Sequence, residues 1–278
     1  MRILFTAILS IFISVGVKAQ ELYVFTEPAS NMPAHSISAK YNGKYLESLH
    51  SGGFEQRHSP EIMFGLSKKW MVHLSSSFSD MYSSNLRWES VKLYAKYRFL
   101  SLDDVHRHFR MAAFIQGSYS RNDPFYDELS MDGDQSGVQL GIVATQLVNK
   151  LAISATVSNV QVLHEDRWND DHAGHFPFKA IDYTFSAGYL VLPFNYTSYN
   201  QTNLNIYVEL LGQQTYDPGL YYVDLAPAIQ LIFNSNTKLN IGYRFQLGGN
   251  MQHRMAEKSW QVGLERTFLN ALKKKKGK

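Results

Sequence analysis

Cysteine is missing from all 278 residues, which excludes disulfide staples, thiolate catalysis and cysteine-ligated metal centres. Long apolar runs are nearly missing too. The one such run, Ile3–Val17, follows Arg2 and leads to Val17-Lys18-Ala19 before Gln20; residues 1–19 read as a cleavable export signal rather than a spanning helix. No cysteine follows the expected cleavage point, so lipid attachment there is excluded. No later segment is apolar for long enough to make a membrane helix. Charge of one sign is weak as well. The formal +3 includes Arg2 and Lys18 of the leader and five lysines of the tail, which leaves −4 in the body and no basic surface that would call for nucleic acid.

What the chain does have is aromatic residues, with 17 Tyr, 17 Phe and 4 Trp, and strict alternation. Lys238–Leu247 puts Leu239, Ile241, Tyr243, Phe245 and Leu247 on one side and Lys238, Asn240, Gly242, Arg244 and Gln246 on the other. Trp260–Phe268 repeats the scheme, with Arg266 as the one charge on its apolar side. A period of two means a strand between an apolar and a polar environment. Twelve such strands are predicted: Ser36–Tyr45, His58–Leu66, Trp70–Ser79, Trp88–Phe99, His108–Tyr119, Gly137–Gln146, Leu151–Asn159, Lys179–Val191, Thr202–Gly212, Leu220–Phe233, Lys238–Leu247 and Ser259–Phe268. Most have the roughly nine to eleven residues that a tilted strand needs to cross a bilayer.

The links alternate between short ones, such as Ser67–Lys69 and Asn234–Thr237, and longer polar ones, notably Ser120–Ser136 and Val160–Phe178. Short periplasmic turns and long outer loops produce that asymmetry, and an even strand count puts both termini in the periplasm. The expectation is an all-β, closed, antiparallel transmembrane β-barrel of 12 strands. Residues 20–35 form a periplasmic lead-in, 36–268 the barrel and 269–278 a basic periplasmic tail. A soluble β-sandwich would also alternate, but it would bury the face that mixes aromatic ends with aliphatic middles, as in Ile181-Tyr183-Phe185-Ala187-Tyr189-Val191. Pro227 lies inside a predicted strand and calls for a bulge at Ala226–Ala228; the link Leu192–Gln201 is long for a periplasmic turn, which puts the strand assignment there in question.

Gln261-Val262-Gly263-Leu264…Phe268 resembles the signal by which barrel-assembly machinery recognises a last strand, although Arg266 and the ten residues after Phe268 depart from it. The mature chain is similar in pattern to small Gram-negative outer-membrane barrels. The phrasing of Ala180–Phe194 and Leu231–Leu247 resembles uncharacterised barrels of Bacteroidetes. The resemblance implies an outer-membrane location, with lipid and the assembly machinery as partners, and brings no activity.

Parity turns Lys92, Lys96, Arg98 and Arg110 inward on strands four and five, facing Asp182, Glu209 and Asp224 on strands eight to ten, with Arg244 on strand eleven. These are the expected pore-lining residues of a channel for small polar solutes or ions. The competing reading is that the charges pair and plug the interior, because twelve strands lie between a filled barrel and a wide pore. The loop His164–His175 offers a divalent metal site, His164, Asp166, His172 and His175, and with it the alternative of a closed barrel whose loops bind a metal or a partner protein. Asp132-Gly133-Asp134-Gln135-Ser136-Gly137 begins like a calcium loop but has Val143 where the bidentate acid belongs. His50-Ser51, His58-Ser59 and His73 with Ser75 and Ser77 are nucleophile–base candidates for a lipid hydrolase, and no orienting third group accompanies them. The expectation is therefore no enzyme and no obligatory cofactor.

Overall fold

The computed structural model describes residues 23–49, 52–123, 125–163, 176–195, 198 and 200–273. Twelve antiparallel strands close on themselves in chain order. They are β1 Ser36–Glu47, β2 Phe54–Gly65, β3 Trp70–Ser79, β4 Arg87–Asp103, β5 Arg107–Ser120 and β6 Gly137–Val148, then β7 Leu151–Val162, β8 Lys179–Leu192, β9 Asn203–Thr215, β10 Tyr221–Phe233, β11 Thr237–Gly249 and β12 Lys258–Phe268. Every predicted strand is present. The seam pairs β1 with β12 from Ile37↔Phe268 to Leu46↔Ser259, so no edge is left open.

Exposure is inverted relative to a soluble fold. Leu93, Leu140 and Leu264 are more than half exposed, whereas Lys96 and Glu209 on the other face are 0% exposed. Only a lipid solvent rewards that arrangement, because apolar surface of this extent in water would drive association. Aromatic side chains mark the two ends of the apolar band. Trp70 against Tyr97 and Phe268 lie near the rim that holds the termini; Trp88 against Tyr119 and Trp260 lie toward the far rim. Such girdles belong at membrane interfaces.

Pro227 is accommodated differently from the expected bulge. The β10–β11 ladder skips Ala226 and Pro227 without changing register, and the register shift lies earlier, at Val223/Asp224. The missing N–H interrupts the ladder locally, while pairing of Pro227 with Val208 of β9 continues. Another register shift, before the link to β9, lies at Leu190/Leu192. A further shift at Arg98/Leu100 lets β4 run on to Asp103, beyond the predicted end at Phe99.

The lead-in is the largest correction. Residues 23–33 do not lie outside the barrel; they turn up into the lumen from the rim that holds the termini. The physical reason is apolar surface: Tyr23 and Val24 cluster with Ala152, Tyr207 and Ala228, and Ala29 packs on Ala112 and Val143. In water those side chains would be unpaid for, and the inner wall offers them small residues to pack on.

Candidate functional site

Two inserted segments and the wall between them make the candidate site. The floor is the lead-in. A single carboxylate oxygen of Glu209 on β9 accepts the Val24 and Phe25 backbone N–H groups at 2.9 and 3.0 Å. Lys96 on β4 donates to Glu27 at 3.0 Å and to the Pro28 and Ser30 carbonyls at 2.7 and 2.9 Å. Thr145 on β6 accepts the Ala29 N–H at 2.8 Å, and Gln261 on β12 donates to the Val24 carbonyl at 3.1 Å. Thr26 Oγ1 lies 2.9 Å from Ser186 Oγ of β8. Gly242 on β11 completes the fit, since a Cβ there would come within 2.4 Å of the Phe25 ring. The lead-in has no strand ladder of its own, so these side chains satisfy its backbone groups.

The roof is the loop between β5 and β6. Arg254, from the loop between β11 and β12, donates to Glu128 at 2.9 and 3.0 Å and to both oxygens of Asp224 at 2.8 Å, and it lies 4.0 Å above the Tyr222 ring. Gln213 on β9 holds the Leu129 N–H and C=O at 2.7 and 2.8 Å. Arg57 on β2 grips Asp134 at 2.6 and 3.1 Å and Glu89 at 2.9 Å. Burial alone would raise the Glu128 carboxyl, but Arg254, with Arg244 and Lys44 nearby, holds it down at about 2. Asp132 and Asp134, the head of the calcium-like sequence, are bound by Lys92 and Arg57, as carboxylates committed to cations of the wall.

Between floor and roof lies a polar chamber of about 400 Å³, bounded below by Val24–Glu27 and above by Glu128–Asp132. The expected pore-lining residues divide among these parts. Lys96 and Glu209 hold the floor, and Arg110 bonds Ser30 at 3.1 Å and Asp103 at 2.8 Å beneath it. Asp224 and Arg244 are paired at 2.5 Å under the roof, Lys92 bonds the roof's Asp132, and Asp182 accepts, among the described residues, from Gln213 and Gln139. Arg98, opposite Ala112 in the β4–β5 ladder, is half-buried at the register shift. Pairing does fill much of the lumen, but largely through inserted segments rather than between facing walls.

Glu27, Arg57, Glu89, Glu128, Gln213 and Arg254 are site residues that alternation did not single out. His164, Asp166, His172 and His175 lie outside the described residues, as do His50 and Ser51. His58 bonds Tyr41 and Gln56, while Ser59 lines the chamber on the other face of β2, so these neighbours do not form a nucleophile–base pair. His73 bonds Glu61 at 3.0 Å.

The sequence matches no protein-family model and no curated protein. Solved structures do resemble the barrel. The COG4313 outer membrane channel from Pseudomonas putida F1 superposes with a TM-score of 0.59 at 12% identity, over 88% of this chain and 100% of that one. The KdgM porin gives 0.50 at 10%, over 83% and 99%, and the NanC porin 0.50 at 12%, over 83% and 98%. The closed twelve-stranded barrel thus has the fold of porin-type outer-membrane proteins.

Proposed function

We propose that the protein is an outer-membrane channel for small polar solutes or ions, with both termini in the periplasm and the floor as a displaceable inner gate. It acts by passage rather than by catalysis. The observation that carries this reading is the bonding of the floor: polar side chains of six strands hold a segment that belongs to none of them. Each such bond has a water-satisfied alternative once the segment leaves, so its net contribution is about 1 kcal/mol for the neutral partners and about 1.5–3 kcal/mol for Glu209, Lys96 and Arg110. A continuous apolar core would offer no such exchange. The porin-type neighbours support passage as the use of this fold. The phrasing of Ala180–Phe194 and Leu231–Leu247, read as resembling uncharacterised Bacteroidetes barrels, would give this chain a similar setting.

In the conducting form Lys92, Lys96 and Arg98 present three positive charges from one strand toward the acidic residues of β8–β10. Replacing all three with Gln should move the reversal potential in a salt gradient toward cation selectivity. An unchanged reversal potential would remove these residues from the conduction path.

A further inference from the structure

Most charges around the chamber have a partner of opposite sign: Lys92 with Asp132, Arg57 with Asp134, Arg244 with Asp224. Two differ. The Lys44 ammonium has the Met255 sulfur, at 3.7 Å, as its bonded partner, and thioether sulfur is a weak acceptor. Glu128, the roof acid nearest in the network, is committed to Arg254. Asp182 accepts from two neutral amides, Gln213 at 2.7 Å on one oxygen and Gln139 at 2.9 Å on the other. Among the described residues no cation bonds it, and a carboxylate with two acceptances keeps further acceptor positions.

Both residues line the same chamber, and both lie in the roof half of their strands: Lys44 near the end of β1, Asp182 near the start of β8. In the closed ring β1 and β8 stand on nearly opposite walls. We infer that the chamber is a binding site for a small zwitterionic solute, with its anionic end at Lys44 and its cationic end at Asp182. This rests on the channel reading, whose transported class it names. A simple anion would neutralise Lys44 and leave Asp182 uncompensated, and a simple cation the reverse; a solute with both ends satisfies both. A space of about 400 Å³ is at the small end of ligand sites, suited to a molecule the size of a dipeptide.

Three probes test this on the folded, full-chain barrel by calorimetric titration: glycylglycine, N-acetylglycylglycine and glycylglycinamide. Glycylglycine should bind at least tenfold more tightly than either capped form. Lys44→Met should erase its advantage over the amide, and Asp182→Asn its advantage over the acetylated form, with heat-modifiable gel mobility reporting that each variant is folded. Equal binding of the three probes to the unaltered protein, no binding of any, or a preference that survives both substitutions would overturn the inference. Conductance of the barrel without its floor separates the two ideas. A barrel that conducts but binds the probes alike leaves the channel reading standing, and one that prefers glycylglycine but never conducts leaves only the binding site.

Discussion

A barrel lacking residues 23–31 should stay open far longer in a planar bilayer than the intact protein, with open probability raised at least tenfold. The intact lumen is crossed by the floor, which bonds to Glu209, Lys96 and Thr145 and, on the channel reading proposed above, closes it at rest. Several bonds of about 1–3 kcal/mol each, together with the packing of Tyr23 and Val24 against Ala152, Tyr207 and Ala228, should on that reading leave openings brief and infrequent. Folding should survive the deletion because the β1–β12 seam starts beyond it, at Ile37↔Phe268, and water replaces the lost partners of Lys96 and Glu209. Equal open probability with and without the segment would mean that the floor does not limit passage.

The second large effect concerns the roof. Arg254 is 2% exposed and joins Glu128 to Asp224. Arg254→Ala leaves Asp224 with Arg244 but Glu128 without a bonded cation, and stripping one partner from a buried ion pair costs about 3–5 kcal/mol. The loss should fall on the roof loop, since the strand ladders do not depend on it. Hydrogen-exchange protection between Arg121 and Ser136 should drop at least tenfold while heat-modifiable mobility is retained. Acid should do the same to the unaltered protein. The Glu128 carboxyl is held below its ordinary 4.5, at about 2, so its contribution is complete above 4.5 and is lost as pH falls through about 2. In Arg254→Ala that acid transition should shrink, leaving the part carried by Arg244 and Lys44 on Glu128 and by Lys92 on Asp132. Protection that ignores both the substitution and the acid would contradict the assignment of Arg254 as the roof's clamp.

Alternation made the barrel legible because a strand between lipid and a wet lumen tends to repeat every two residues, as β3 and β12 do. It faltered where outward positions are polar. Gln56, His58 and Pro60 of β2 blur the period, so alternation alone starts the strand at His58 and leaves out Arg57. In the structure Tyr41 and Gln56 satisfy His58, which is how that face tolerates it. Parity placed Lys96, Glu209 and Asp224 correctly on the inner wall, but it carries no information about what enters the lumen from elsewhere. Floor and roof come from aperiodic segments, whose partners are set by three-dimensional closure. One signal was available: Tyr23-Val24-Phe25, an apolar triplet just after the expected export signal, is poorly suited to a solvated lead-in.

The absence of native cysteine permits a direct test of the gate. Thr26 Oγ1 and Ser186 Oγ lie 2.9 Å apart, close enough for cysteines at both positions to be joined, and no other thiol can compete. Single-channel recording of Thr26→Cys/Ser186→Cys should show no openings when oxidised and a return of brief openings after reduction. Openings of the same frequency and size in both states would contradict the account of the lead-in as the gate.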